Sequence, residues 1–141
     1  MSLDITSFRN AISQLEKAIG YSCSSIADND PGLQEQLRNS VIQCFEFTYE
    51  LSHKMLKRYL EQTSASAEEV DVATFQSLIR TGNEKGLLRS DWRKWRDYRE
   101  ARNDSSHTYD KDKAEAVAAI APDFLKEAKF LAEKISDQLT T

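Results

Sequence analysis

The sequence predicts an all-α fold, an antiparallel up-and-down bundle of four to five helices, and three observations carry that expectation. The 141 residues contain only four Gly and two Pro, too few for the many tight turns of a sandwich or barrel. Leu, Ala, Glu, Lys, Arg and Gln, the good helix formers, dominate the composition. Apolar residues recur at spacings of three and four along most of the chain, the period of a helix with one face turned inward. At this length one core suffices, so a single domain over residues 1–141 is expected.

The first helix is marked by Ile5, Phe8, Ile12, Leu15 and Ile19, with Ala11 and Ala18 beside them. Asp28-Asn29-Asp30-Pro31-Gly32 is a dense turn cluster that separates it from the next element. The second helix spans about Leu33 to Leu60 and carries two apolar stripes, one through Leu37, Val41, Cys44, Thr48, Leu51 and Met55. The other runs through Ile42, Phe45, Tyr49, Leu56 and Tyr59. Two stripes imply burial over a wide arc and place this helix at the centre of the bundle. Gln62 to Ala67 reads as a polar loop, with Ser66-Ala67-Glu68-Glu69 as a capping box able to open a short turn.

Val72, Phe75, Leu78 and Ile79 form a third, shorter helix that frays through Gly82-Asn83 and stops by Gly86. Ser90 is the expected N-cap of a fourth helix, with Asp91 placed favourably against its dipole. That helix holds Trp92, Trp95 and Tyr98, the two Trp being candidates for exposure. It should end near Asn103 to Ser106, residues that prefer caps and turns. Asp112 with Glu115 resembles a second capping box, opening a last helix through Val117, Ile120, Phe124, Ala128, Leu131, Ile135 and Leu139. Pro122 inside it predicts a kink or a split.

Charge and cysteine content narrow the setting. No apolar run approaches the ~18 residues of a membrane span, so no membrane partner is expected. Met1-Ser2-Leu3-Asp4 has neither the basic nor the apolar part of a secretion signal. Cys23 and Cys44 are too few and too far apart for a disulfide framework or metal knuckle, and a cytoplasmic protein is the expectation. The net charge of −4 is uneven: residues 80–102 hold eight Lys/Arg against four Asp/Glu, a window of +4 on a remainder of −8. That window is either a solvated helix face or a surface facing phosphates.

Just after the basic, aromatic helix, the segment Arg102-Asn103-Asp104-Ser105-Ser106-His107-Thr108-Tyr109 gathers a guanidinium, an imidazole and a phenol. Arg holds phosphate through paired hydrogen bonds, His moves a proton near neutral pH, and a Tyr hydroxyl can be modified. In an unbroken helix Arg102 and His107 would point about 140° apart. They converge only if Asn103 to Ser106 break the helix or if a second subunit supplies one partner. The plain structural alternative pairs Arg102 with an acid, leaves His107 at a helix end and packs Tyr109.

The run Phe45-Glu46-Phe47-Thr48-Tyr49-Glu50-Leu51-Ser52-His53-Lys54-Met55-Leu56-Lys57 resembles the second-helix signature of the nucleotidyltransferase substrate-binding family, within the HEPN superfamily of helical bundles. Gly86-Leu87-Leu88, a Trp-containing helix, then Arg102-Asn103-x-x-Ser106-His107-Thr108-Tyr109-Asp110 is similar to the family's other signature in order and spacing. One departure is His53, where the family usually has Trp, so the resemblance carries no aromatic platform to that position.

The resemblance implies a homodimer that serves as the substrate-binding partner of a separate minimal nucleotidyltransferase, which would supply the metal-binding acids. No Gly-Ser followed by paired Asp and no Walker-type loop occurs in this chain. No metal and no cofactor are expected in it. Nucleotide or RNA phosphate would be bound by Arg99, Arg102, Asn103, Ser106 and Trp95. A rival implication comes from HepT-like toxins, in which the Arg and His of this pattern make a metal-independent ribonuclease. There, the Tyr is adenylylated by the cognate nucleotidyltransferase. In that reading Arg102 and His107 are catalytic and Tyr109 is the modified residue. A third reading is a purely structural adaptor whose dimer organises the nucleotidyltransferase.

Overall fold

A computed structural model describes residues 3–140, without the side chain of Thr140; Met1, Ser2 and Thr141, at the ends of the expected domain, lie outside the described residues. Among the described residues there are six α-helices and one 3-10 turn, and no strand. The protein is the all-α bundle that composition and periodicity predict. No helix is long and apolar enough to cross a membrane.

Helix α1 (Thr6–Ser22) buries Phe8, Ile12, Leu15 and Ala18, the predicted stripe. A 3-10 turn (Ser25–Ala27) leads to Asn29, whose φ of 64° is the left-handed conformation that Asn tolerates. Helix α2 (Pro31–Thr63) begins two residues earlier than expected. Asp30 is its N-cap, its carboxylate accepting the Leu33 N–H at 3.0 Å, and Pro31 fills the first turn. Both stripes of α2 are used: Phe45, Tyr49 and Leu56 are buried alongside Val41, Met55 and Leu60. The helix packs against α1 on one side and the C-terminal helix on another, the central place its pattern implies. The buried Thr48 hydroxyl lies 2.7 Å from the Cys44 carbonyl of its own helix and 3.2 Å from the Ala11 carbonyl, where α1 meets α2.

The Ser66 capping box opens a one-turn helix of its own, α3 (Ala67–Asp71), which raises the helix count above the four or five expected. The next helix, α4 (Phe75–Glu84), starts three residues later than Val72, which is 81% exposed and belongs to no apolar face. It continues through Gly82 rather than fraying there. A Cβ at Gly82 would stand 2.9 Å from Leu88 Cδ1 and 3.3 Å from Leu56 Cδ1, so the glycine admits these two side chains to the helix surface. Gly86, at φ 73°, turns the chain after the helix as expected.

Helix α5 (Trp92–Asp104) is capped by Asp91, not Ser90, the Asp91 carboxylate accepting the Arg93 N–H at 3.1 Å. Helix α6 (Lys111–Thr140) is continuous and is not split at Pro122. The proline lies on the exposed face, where water can reach the carbonyl its missing N–H leaves free. Its N-cap is Asp110, which accepts the N–H groups of Asp112 and Lys113 at 3.1 and 3.2 Å; Asp112 stands in the first turn instead.

Candidate functional site

Helix α5 is aimed by its buried side. Trp95, Tyr98 and Ala101, three residues apart, face the core, and Trp95 meets Tyr98, Phe124, Phe75 and Tyr49 at centroid distances of 5.4 to 6.3 Å. This corrects the expectation of an exposed Trp95. It is 1% exposed, because the aromatic contacts of α2, α4 and α6 converge on it, and it offers no face to a ligand. Trp92 is half-buried against Phe75. Upstream, the loop before α5 is held by Glu127 of α6, fully buried, whose carboxylate accepts the Arg89 backbone N–H at 2.7 Å. Burial pushes the Glu127 carboxyl above its ordinary range, against hydrogen bonds from Ser90 and Arg89 that favour its charge.

With that face inward, Arg99 and Arg102 lie one turn apart on the accessible side of α5. Arg102 turns toward α2, where its Nε donates to Glu50 Oε1 at 2.6 Å and its Nη2 lies 3.8 Å from Glu46 Oε1. Ser105, the helix C-cap, is buried beside them, its hydroxyl 2.8 Å from Glu46 Oε2 and 2.7 Å from the Arg102 carbonyl. Arg99 lies over the Phe75 ring, 5.6 Å from its centroid. Among the described residues no carboxylate is within ion-pair distance of it. These groups open on a niche of about 250 Å³ lined by Tyr49, Glu50, His53, Phe75, Arg99, Arg102 and Asn103.

The helix does break where the sequence predicts, ending at Asp104. The turn that follows is closed by the His107 N–H on the Asp104 carbonyl at 2.9 Å and the Asp110 N–H on the His107 carbonyl at 3.0 Å. It sends His107 to Tyr109 rather than to Arg102. The His107 Nδ1 and Tyr109 hydroxyl are 2.8 Å apart, with the rings edge to face. Tyr109 is 83% exposed, so it does not pack as the plain structural alternative supposes, whereas Arg102 does pair with acids as that alternative supposes. Neither Arg102 nor His107 is a hydrogen-bond partner of the other. Ser106 ties back to the Asn103 carbonyl at 3.2 Å on the exposed helix end.

Beside Tyr109 lies a larger cleft of about 570 Å³, between the start of α2 and the start of α6, to which Arg38 and Lys111 bring positive charge and Glu35 and Glu115 negative. Sequence reasoning missed Glu46, Glu50, Phe75 and Arg38 as site residues. The i, i+4 pair Glu46 and Glu50 was the one local signal, since such acids share a helix face able to meet a cation.

The family described as nucleotidyltransferase substrate binding protein like matches residues 3–137. The chain is 43% identical over 109 residues to a protein of Haemophilus influenzae (strain ATCC 51907 / DSM 11121 / KW20 / Rd) named probable ribonuclease HepT, covering 77% of this chain and 74% of that one. A solved structure from Haemophilus influenzae, described as revealing the fold of a substrate binding domain of a nucleotidyltransferase, superposes with a TM-score of 0.88. It is 38% identical, over 94% of this chain and 99% of its own.

Proposed function

The chain belongs to the nucleotidyltransferase substrate-binding protein family, and from that premise we propose that it is the non-catalytic, substrate-binding partner of a separate minimal nucleotidyltransferase. It binds nucleotide or RNA phosphate along the end of α5, from Arg99 and Arg102 to His107 and Tyr109. The observation that carries this reading is the niche in which α5 sets Arg99, Arg102 and Asn103 side by side against α2. Cations one helix turn apart suit the oxygens of one phosphate, and Arg supplies them as a planar fork. The protein acts as a homodimer with the Arg102–Tyr109 segment beside the seam. Titration calorimetry with ATP, AMP and a short RNA tests it. Binding by the parent protein that is weakened by about 1.5–3 kcal/mol in Arg102→Ala is expected, with RNA left intact by the protein alone. A protein that binds none of these ligands would sink the reading.

A second reading, a metal-independent ribonuclease, is favoured by the name of the 43% identical relative. In it His107 handles the proton of the attacking 2′-hydroxyl or of the leaving 5′-oxygen, and Arg102 offsets charge on the phosphoryl oxygens. Adenylylation at the exposed Tyr109 hydroxyl, 2.8 Å from His107, would then set a phosphodiester and a nucleoside against the general base and silence it. Under this reading RNA cleavage survives a metal chelator and falls by roughly two to four orders of magnitude in His107→Ala. A mass increase of one AMP on Tyr109, after incubation with the partner nucleotidyltransferase, ATP and a divalent metal, separates it from a purely binding role.

A further inference from the structure

The niche between α2, α4 and α5 has a composition that phosphate binding alone does not explain. Arg99 and Arg102 bring positive charge to it, but Tyr49, His53 and Phe75 also line it. His53 of α2 meets Phe75 of α4 edge to face at 4.7 Å, and Tyr49 lies behind Phe75 at 6.1 Å. The guanidinium carbon of Arg99 lies over the same Phe75 ring, 5.6 Å from its centroid. Burial holds the His53 imidazole below its ordinary range, with Lys57 and Arg99 adding to the effect and Glu50 opposing it. A neutral imidazole presents one N–H and one acceptor nitrogen, which suits a polar edge better than an anion. Glu50 points into the same space. Its Oε1 holds Arg102, and among the described residues Oε2 takes no hydrogen bond, so it is an acceptor on the niche wall.

A site for phosphate alone would gain nothing from three rings and would be weakened by a carboxylate. A nucleobase uses both. Bases stack on aromatic and guanidinium planes, and an exocyclic amino group donates to a carboxylate oxygen. Size sets the extent: at about 250 Å³ the niche falls below the ~300–1,000 Å³ of pockets that enclose a drug-sized ligand, so it seats a single base, with the sugar and phosphate outside it, and not a strand.

We propose that this niche is a seat for a single amino-bearing nucleobase. The base lies against the His53–Phe75 wall with its amino group on Glu50, and the adjoining phosphate reaches Arg99. The proposal deepens the reading of the protein as a nucleotide-binding partner and rests on it. His53 and Phe75 become the specificity-determining residues of a site whose phosphate contacts lie on α5.

The test is calorimetric titration of the full chain with AMP, UMP and ribose 5-phosphate, on the parent protein and on His53→Ala, Phe75→Leu, Glu50→Gln and Arg99→Ala. Circular dichroism melts confirm that each variant is folded. AMP should bind the parent more tightly than ribose 5-phosphate by about fivefold to over a hundredfold, the scale of one base stack. UMP, with no amino group to offer Glu50, should fall between them. His53→Ala should erase most of the AMP advantage and leave ribose 5-phosphate unchanged; Phe75→Leu should erase it as well, with a smaller loss of ribose 5-phosphate because Arg99 rests over that ring, whereas Arg99→Ala should weaken all three ligands. Glu50→Gln should narrow the gap between AMP and UMP. Equal affinities for AMP and ribose 5-phosphate in the parent would overturn the seat while leaving phosphate binding intact. So would an AMP affinity indifferent to both His53→Ala and Phe75→Leu. Absence of binding by all three ligands and by RNA would overturn the underlying reading and the seat with it.

Discussion

Trp95 is the residue for which sequence and structure disagree most about function, and its substitution distinguishes the two accounts. The structure places it in the core, 1% exposed, in ring contact with four aromatic neighbours and with its indole Nε1 buried and unpartnered. Trp95→Ala removes the centre of that cluster and should cost about 3–5 kcal/mol. For a chain of 141 residues that corresponds to a fall in Tm of roughly 10–20 °C. Trp95→Phe behaves differently because two effects oppose each other. It leaves a void of about 40 Å³, which at ~24 cal/mol per Å³ costs about 1 kcal/mol in addition to the apolar transfer energy that the smaller ring gives up. It also deletes an unsatisfied buried N–H, which returns about 1–3 kcal/mol. Stability should therefore change by no more than about 1–2 kcal/mol, and in the favourable direction if the second effect prevails. Urea unfolding followed by circular dichroism measures both variants, and AMP titration of Trp95→Phe measures binding. A tenfold loss of nucleotide affinity in Trp95→Phe with unchanged stability would refute the core assignment and return Trp95 to the binding surface.

Arg102 should behave in the opposite way: its pair with Glu50 is partly exposed, so Arg102→Ala should cost about 1 kcal/mol of stability or less. It should nevertheless weaken phosphate binding by about 1.5–3 kcal/mol, read by thermal melts and calorimetry side by side. Glu127→Gln keeps an acceptor for the Arg89 N–H but removes a carboxyl that burial holds above its unfolded value. Between the unfolded and folded values the native state binds more protons, so the parent loses stability as pH rises through that window. Denaturant midpoints measured from pH 4 to 8 should therefore show Glu127→Gln gaining on the parent with rising pH. His53 has the reverse sign: its folded value is lowered, so the unfolded chain takes up the proton first and the parent loses stability as pH falls below about 6.5. His53→Ala should flatten that acid limb of the stability profile, with Glu50, Lys57 and Arg99 left in place.

The helices were legible because each has a stripe of the right period and a usable start. What the sequence placed imprecisely were starts where two cap-competent residues stand close together. Ser90 and Asp91 are adjacent, and Asp110 and Asp112 are two apart; in each pair local chemistry permits either, and only the loop geometry selects Asp91 and Asp110. Trp95 was legible in principle, since Trp95, Tyr98 and Ala101 share a core spacing, but the surrounding Arg and Lys made the whole helix read as a surface. Of the candidate site, the residue types could be read from the sequence but not their pairing. Arg102 and Glu50 are 52 positions apart, and no local pattern joins them. The same holds for His53 and Phe75, which become neighbours only when α4 folds back on α2.

The pairing of Arg102 decides what can use it. A guanidinium held by Glu50 at 2.6 Å, with Glu46 beyond, is already neutralised in the unliganded protein. Any ligand must therefore displace a carboxylate to reach it, or add to it a face the carboxylate leaves open. A chloride or a weak monoanion offers too little to compete. A phosphate with several oxygens makes several charge-assisted hydrogen bonds at once and can outbid one acid. Arg99 carries no such counter-charge among the described residues and lies one turn away, so under the proposed function it would be the first contact, with Arg102 following as Glu50 yields to the ligand. On the proposed reading, two cations engaged in that order would make the end of α5 selective for phosphates over simple anions. Glu50→Gln, which lowers the competing charge without removing the side chain, should accordingly tighten ribose 5-phosphate binding even as it erodes the preference for AMP over UMP. If Glu50→Gln instead weakened ribose 5-phosphate as much as Arg102→Ala does, the carboxylate would be positioning Arg102 for the phosphate rather than competing with it, and this order of engagement would be wrong.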